Sequence, residues 1–268
     1  KMIRYPFIAV IILTVFLVSS CGTKEISSDK VVERMQLLYE INSQTPFTGT
    51  VLEAFKNGPD ESNLENGQLR KKLSYKDGVL HGPSEYYHSN GQLMIKTEYI
   101  DGEPDGEEIG YHSNGLPSFK RFWNLGVKEG NWELINLNNM FTSSKNYKNG
   151  VLHGESLEMY DDGNPKSMSH HKDGQLDGHQ IEYYPGFQEK NSSVYRNGVQ
   201  HGPYESYYEN GQLKAKAEYI DGYAEGLVES YYESSQIMES AYLTDGLPDR
   251  ASWKRYNEDG SARPLPLE

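Results

Sequence analysis

Cysteine is almost missing from this chain: Cys21 is the only one in 268 residues. One thiol excludes an intramolecular disulfide framework, and beyond residue 21 it leaves no thiol nucleophile. Apolar side chains are scarce too, at 36% of the chain with a mean hydropathy of -0.76. That rules out a thick globular core and suits a thin, extended sheet with two wet faces. The apolar run at residues 7–18 is too short to span a bilayer comfortably. Positive charge is short as well, with 26 Lys and Arg against 39 Asp and Glu. The formal charge of -13 becomes -15 once Lys1 and Arg4 are removed. Such a chain is a poor partner for nucleic acid or anionic headgroups, and basic proteins, cationic peptides or neutral glycans stay open.

Glycine and tyrosine are plentiful, and their placement is periodic. One series runs Gly78, Gly102, Gly126, Gly150, Gly174, Gly198, Gly222 and Gly246, each 24 residues after the last. A second runs Gly82, Gly106, Gly130, Gly154, Gly178, Gly202 and Gly226, then breaks at Arg250. Eight registers without a slip define a repeat array. Each unit holds two turn signals. Asn90-Gly91, Asn114-Gly115, Asp162-Gly163 and Asn210-Gly211 predict type I′ hairpin turns. The Asp/Asn-Gly-x-x-x-Gly stretches predict the second turn, with Gly78, Gly82, Gly102, Gly106, Gly150, Gly154, Gly198, Gly202, Gly222 and Gly226 as structural turn glycines. Between the turns, residues 213–219 alternate apolar and charged with period two, a strand covered on one face and solvated on the other. The fold class is therefore all-β: an extended antiparallel array of about eight hairpin units.

Residues 1–20 read as a secretory signal, and Val18-Ser19-Ser20-Cys21 resembles a bacterial lipobox. Cys21 then stands where a diacylglyceryl thioether would form, anchoring the chain without a spanning helix. The resemblance implies the cell envelope, and Gly22 after the cysteine implies the outer membrane if the source is Gram-negative. Residues 21–30 make a polar tether, 31–260 the array and 261–268 a C-terminal tail. Residues 31–41 fit either a short helix behind Asp29 or an opening hairpin, and the hairpin is preferred because sheet follows. The first unit is stretched around Lys56-Asn57-Gly58-Pro59-Asp60, and a last hairpin is expected at Asp259-Gly260 before Pro264 and Pro266. The pattern Tyr-x-Asp/Asn-Gly-x-x-x-Gly-x-x-x-x-Tyr-Tyr-x-x-Asn-Gly-Gln-Leu resembles the variant MORN repeat. Pro46-Phe47-Thr48-Gly49 looks like the opening motif of the YwqK-like antitoxins built from it. That resemblance implies a protein partner, and specifically the immunity partner of a toxin.

His81, His153 and His201 share one repeat position with Asp105, Glu129, Asp177, Glu225 and Asp249. Units about 10 Å apart cannot share a zinc ion, so these are expected to be turn residues, with His170, His171 and His179 the one local group worth watching. Residues 101–106 imitate the start of an EF-hand loop, but His112 stands where the bidentate glutamate should be. No metal or cofactor is expected. Without GxSxG or HExxH, an enzyme is not expected either. The sixth residue after the second glycine is tyrosine in five successive units: Tyr160, Tyr184, Tyr208, Tyr232 and Tyr256. The fifth is Tyr87, Tyr111, Tyr183, Tyr207 and Tyr231. One ladder should be core, and the other is either a second packing layer or an exposed strip. The Tyr160–Tyr256 ladder, with the acidic turns beside it, is the candidate binding surface of a non-enzymatic, monomeric scaffold. The alternatives are a cell-wall glycan-binding module and a passive spacer.

Overall fold

The structure is a computed structural model that describes residues 23–55, 68–138 and 140–266. The signal, Cys21, the stretched part of the first unit and Asn139 lie outside the described residues. One sheet of 20 strands holds nearly all of the array. It meanders in sequence order: Val199–Tyr207 pairs antiparallel with Leu213–Ile220, which pairs in turn with Tyr223–Tyr231. The same step repeats from Gly49–Ala54 to Ile237–Thr244.

Both turn signals form hairpins, but the type I′ geometry expected at Asn-Gly is found at the other turn. Asp101 at φ 48° and Gly102 at φ 90° are the two central residues of a two-residue loop, the I′ signature. The same pair of positive angles recurs from Asp77-Gly78 through Asp245-Gly246. At Asn90-Gly91 only the glycine is left-handed, at φ 82°. The His88 carbonyl accepts from Gly91 N at 2.9 Å, and His88 N donates to the Gln92 carbonyl at 2.8 Å. This is a three-residue loop, a type I turn closed by a glycine bulge. Asn90 favours it because its Oδ1 accepts from Gln92 N at 3.1 Å, a local bond available to a right-handed asparagine.

The second glycine series was expected in turns and sits instead in bulges within the longer strand of each unit. Opposite Val79–Tyr87, the register jumps between Leu73↔Ser84 and Tyr75↔Leu80. Gly202, at φ 121°, shows the reason for glycine there: a Cβ would meet Val194 Cβ at 3.1 Å.

Cross-strand pairs define two faces. Tyr204↔Ala217 and Ser206↔Ala215 share one, and Glu205↔Lys216 lies on the other. The first carries the buried positions of the repeated hairpins. Ser84 is fully buried beside Thr97, and Ser156, Ser193, Ser206 and Ala241 are nearly so. Neither tyrosine ladder is core: both are mostly half-buried. Along the repeated hairpins small side chains hold the buried positions, because a single twisted layer gives a large ring no opposing layer to enter. The exception is Phe47, 4% exposed, which is buried with Thr50 and Val51 at the start of the array.

Residues 31–41 form the hairpin, Val31–Arg34 against Leu37–Glu40, turning at Met35 and Gln36 with φ 51° and 64°. It docks through Leu38 N to the Gly78 carbonyl at 2.9 Å. Within the tether, Glu25–Ser27 adds a parallel strand to Gly49–Ala54 and covers that edge. Gly49 is what lets it approach, since a Cβ there would lie 2.3 Å from the Lys24 carbonyl oxygen. At the other end the Asp259-Gly260 hairpin forms, with Asn257 N donating to the Ser261 carbonyl at 2.8 Å.

Candidate interaction surfaces

The row of His and acidic residues before each second glycine is a set of turn clasps. Each side chain accepts the backbone N–H that opens the next two-residue loop, 20 residues on. Leu125 N reaches Asp105 at 3.0 Å, Asn149 N reaches Glu129 at 2.8 Å, and Asn197 N reaches Asp177 at 3.0 Å. His81, His153 and His201 do the same through Nδ1, at 3.4, 3.4 and 3.3 Å. Histidine and carboxylate alternate here because both supply an acceptor at the right reach. In the three histidine units the receiving residue is Asp101, Asp173 or Asp221, whose carboxylate also faces the ring. Among the described residues no three His, Cys, Asp or Glu side chains converge as metal ligands. The EF-hand-like stretch is divided in the same way: Asp101 opens a loop, while Asp105 clasps the next one.

The sixth-position ladder also links neighbouring units. The hydroxyls of Tyr160, Tyr184, Tyr208 and Tyr232 donate to the carbonyls of Tyr183, Tyr207, Tyr231 and Tyr256 at 2.8, 3.2, 2.8 and 2.9 Å. In the N-terminal units His88 and His112 make the equivalent bond through Nε2 to Tyr111 and Ile135, at 2.8 and 2.9 Å. Tyrosine and histidine thus supply one staple from two chemistries. The hydroxyls are committed, and the ring faces stay half-exposed.

The fifth-position ladder lies on the Glu/Lys face. Tyr87, Tyr207 and Tyr231 donate to Glu85, Glu205 and Glu229 two residues back, at 2.7, 2.5 and 2.9 Å. The bond to Glu205, then burial, push the Tyr207 phenol up to about 12. Burial first, then the Glu85 bond, do the same at Tyr87. Lys216 completes the C-terminal set by pairing with Glu229 at 2.6 Å, which holds that carboxyl below its ordinary range.

One repeat description accounts for this geometry. The MORN repeat variant matches residues 56–77, 80–101 and 200–221. Three segments of the chain match the MORN repeat variant. The three matches start 24 and 120 residues apart, one and five periods of the glycine series. Each of the last two spans one hairpin, from just after a two-residue loop to the start of the next. No curated protein matches the chain. No helix among the described residues is long and apolar enough to cross a membrane.

Two places depart from the common unit of the array. His170, His171 and His179 do not form a cluster. His171 lies on the small-residue face, where burial, then His170 and Lys145, lower its pKa. His170 and His179 border a cleft of about 300 Å³ on the other face, with Leu157, Met168 and Ile181. The second place, missed in the one-dimensional reading, lies on the small-residue face between residues 119 and 147. There Trp123 meets Trp132 edge-on at 4.8 Å, and Trp132 meets Tyr147 at 5.3 Å. The Arg121 guanidinium lies 4.0 Å over Phe119 and 5.0 Å over Trp132. Lys128 lies 4.5 Å over Trp132 and 4.8 Å over Tyr147. Gly110 makes room for this group: a Cβ on it would stand 2.1 Å from the Phe119 ring. The signal was present in the repeat alignment, where Arg121 and Lys145 occupy the position held elsewhere by Thr97, Ser169, Ser193, Ala217 and Ala241.

Proposed function

We propose that this MORN-repeat sheet is a non-enzymatic protein-binding scaffold, displayed from a membrane by lipid on Cys21. The observation that carries the reading is the division of labour within each unit. Turn glycines, clasps and staples are absorbed by the sheet itself, while ring faces and carboxylates repeat along an open layer. Half-exposed tyrosine rings beside acidic turns are suited to a basic protein surface. The resemblance of Pro46-Phe47-Thr48-Gly49 to the YwqK-like antitoxins makes a toxin the first partner to seek.

The test is a pull-down from envelope extract with three forms of the chain. Changing Tyr184, Tyr208 and Tyr232 to Phe removes the staples and keeps the rings, whereas changing them to Ser removes both. The reading expects the Phe form to keep the partner and a folded Ser form to lose it. An unchanged partner set with the folded Ser form rejects the Tyr160–Tyr256 ladder as the contact surface. Membrane anchoring is tested separately, since Cys21→Ala should move the protein to the soluble fraction.

A further inference from the structure

We propose that the aromatic and basic patch between Phe119 and Tyr147 is a second binding site of opposite polarity, which takes a carboxylate side chain of an acidic protein segment. This rests on the scaffold reading above and adds a separate site to it. Residues 117–148 carry Lys120, Arg121, Lys128, Lys145 and Lys148 against only Glu129 and Glu133, an electropositive island in an acidic chain.

The island is arranged around a cleft of about 170 Å³, lined by Arg121, Trp132, Glu133, Leu134, Ser143, Lys145 and Tyr147, with the Glu133 carboxylate already accepting from Asn131 Nδ2 at 2.7 Å. Cross-strand register places it: Phe119↔Leu134, Leu134↔Ser143 and Trp132↔Lys145 put these side chains on one face of three adjacent strands. Both cations of the cleft are incompletely neutralised. Arg121 has Glu108 at 3.9 Å, and Lys145 has Glu158 at 3.8 Å, each beyond a short ion-pair contact and each on a flanking strand. The buried Nε of Arg121 has no hydrogen-bond partner among the described residues. The stack on Phe119 and Trp132 orients the guanidinium, whose side chain is 31% exposed, so that with Nε buried its terminal nitrogens are the donors open to a carboxylate.

Size and surroundings choose the ligand class. The cleft admits one acidic side chain. Leu134, 47% exposed, supplies apolar contact to the residues beside that side chain, which a free inorganic anion would not use. The net charge repels polyanions at long range, so recognition here depends on a short contact made with both cations.

The experiment is fluorescence anisotropy of the full chain with a labelled decapeptide of alternating Glu and Leu, and its Gln/Leu counterpart as control. The Glu peptide should bind at least about tenfold more tightly, as expected for a charge-assisted pair. Arg121→Gln with Lys145→Gln should abolish that preference, while Lys214→Gln with Lys216→Gln on the other face should leave it intact. Equal affinity for the two peptides overturns the proposal, as does equal Glu-peptide binding by the Arg121/Lys145 variant. Displacement of the peptide by inorganic phosphate at equal concentration overturns it in favour of a simple anion site. Self-association that disappears in that variant overturns it in favour of a second copy of this chain. The capture by the tyrosine ladder is read with a different variant, in units C-terminal to residue 148, so either result can fail alone.

Discussion

The units at 199–230 and the stretch at 117–148 are equal lengths of the same meander, begun on opposite strands of the unit, and do different things with it. The first carries six acidic residues against two basic, the second two acidic against five basic. On the small-residue face the first places Tyr204, Ser206, Ala215, Ala217 and Tyr219, with one ring contact of 6.1 Å between the tyrosines. The second fills the same positions with Trp132, Leu134, Phe119, Arg121 and Trp123. The lesson is that hairpin geometry depends on turns, bulges and clasps at fixed positions, so the face positions are free to change chemistry without loss of register.

The harshest way to break the comparison is Gly110→Val. In the central stretch the new side chain would collide with Phe119 and displace Arg121 from its stack. Overpacking of this kind costs about 1–3 kcal/mol. Denaturant unfolding should show the loss, and Trp emission should shift. Gly226→Ala, where nothing lies within 4 Å, should cost less and only through its φ of 79°.

Removing one staple is the next step down. Tyr208→Phe loses the bond to the Tyr231 carbonyl and should lower stability by about 1 kcal/mol, measured by thermal melting. His112→Phe tests whether the N-terminal staple to Ile135 is equivalent, and a similar loss is expected.

A change of the opposite sign sharpens the contrast. Leu125 holds a left-handed φ of 45° and is 54% exposed, in a position that Asn149 and Asn197 fill in later units. Leu125→Asn should raise stability by about 0.5–1 kcal/mol, because asparagine tolerates that conformation better. An unchanged melting curve would show that the central loop is not strained.

The mildest expected effect is alkaline. A phenol whose folded pKa lies above its unfolded value of about 10 contributes stability that is complete below that pH and is lost as pH rises toward the folded value. For Tyr87 and Tyr207, raised to about 12, the window is therefore about pH 10 to 12. Both rings are partly exposed, so solvent screening keeps the energetic change small. Absorbance at the phenolate band should still show a delayed fraction of tyrosine, and Tyr207→Phe should reduce it. The equivalent central position is Ile135, which has no phenol to titrate.

Much of this was legible in one dimension. The period, the strand pairs, both hairpin loops of each unit, the hairpin at 31–41 and the last hairpin at Asp259-Gly260 follow from Gly, Asn and Asp spacing. The place of the type I′ geometry was not legible. Asn-Gly suits a I′ turn in isolation, but the Asn90 Oδ1 bond to Gln92 stabilises a right-handed asparagine instead. The second glycines were read as turn residues because spacing cannot separate a loop from a bulge, which is fixed by the register opposite. The sixth-position tyrosines could be aligned as a column, but their staples were invisible: the Tyr208 hydroxyl reaches the Tyr231 carbonyl across 23 residues, between adjacent hairpins.

The sequence by itself determined the repeat, the all-β class and the polarity of each position, because backbone turn preference and two-residue alternation are local properties. Only the tertiary structure decided what neighbouring units do to one another. It turned a histidine and acid row into clasps on the next loop, and a tyrosine ladder into staples on the next carbonyl. It also placed Arg121 and Lys145, separated by 24 residues, on either side of one cleft around Trp132. Those pairings depend on strand register and twist across three strands, distances that no single strand's sequence contains.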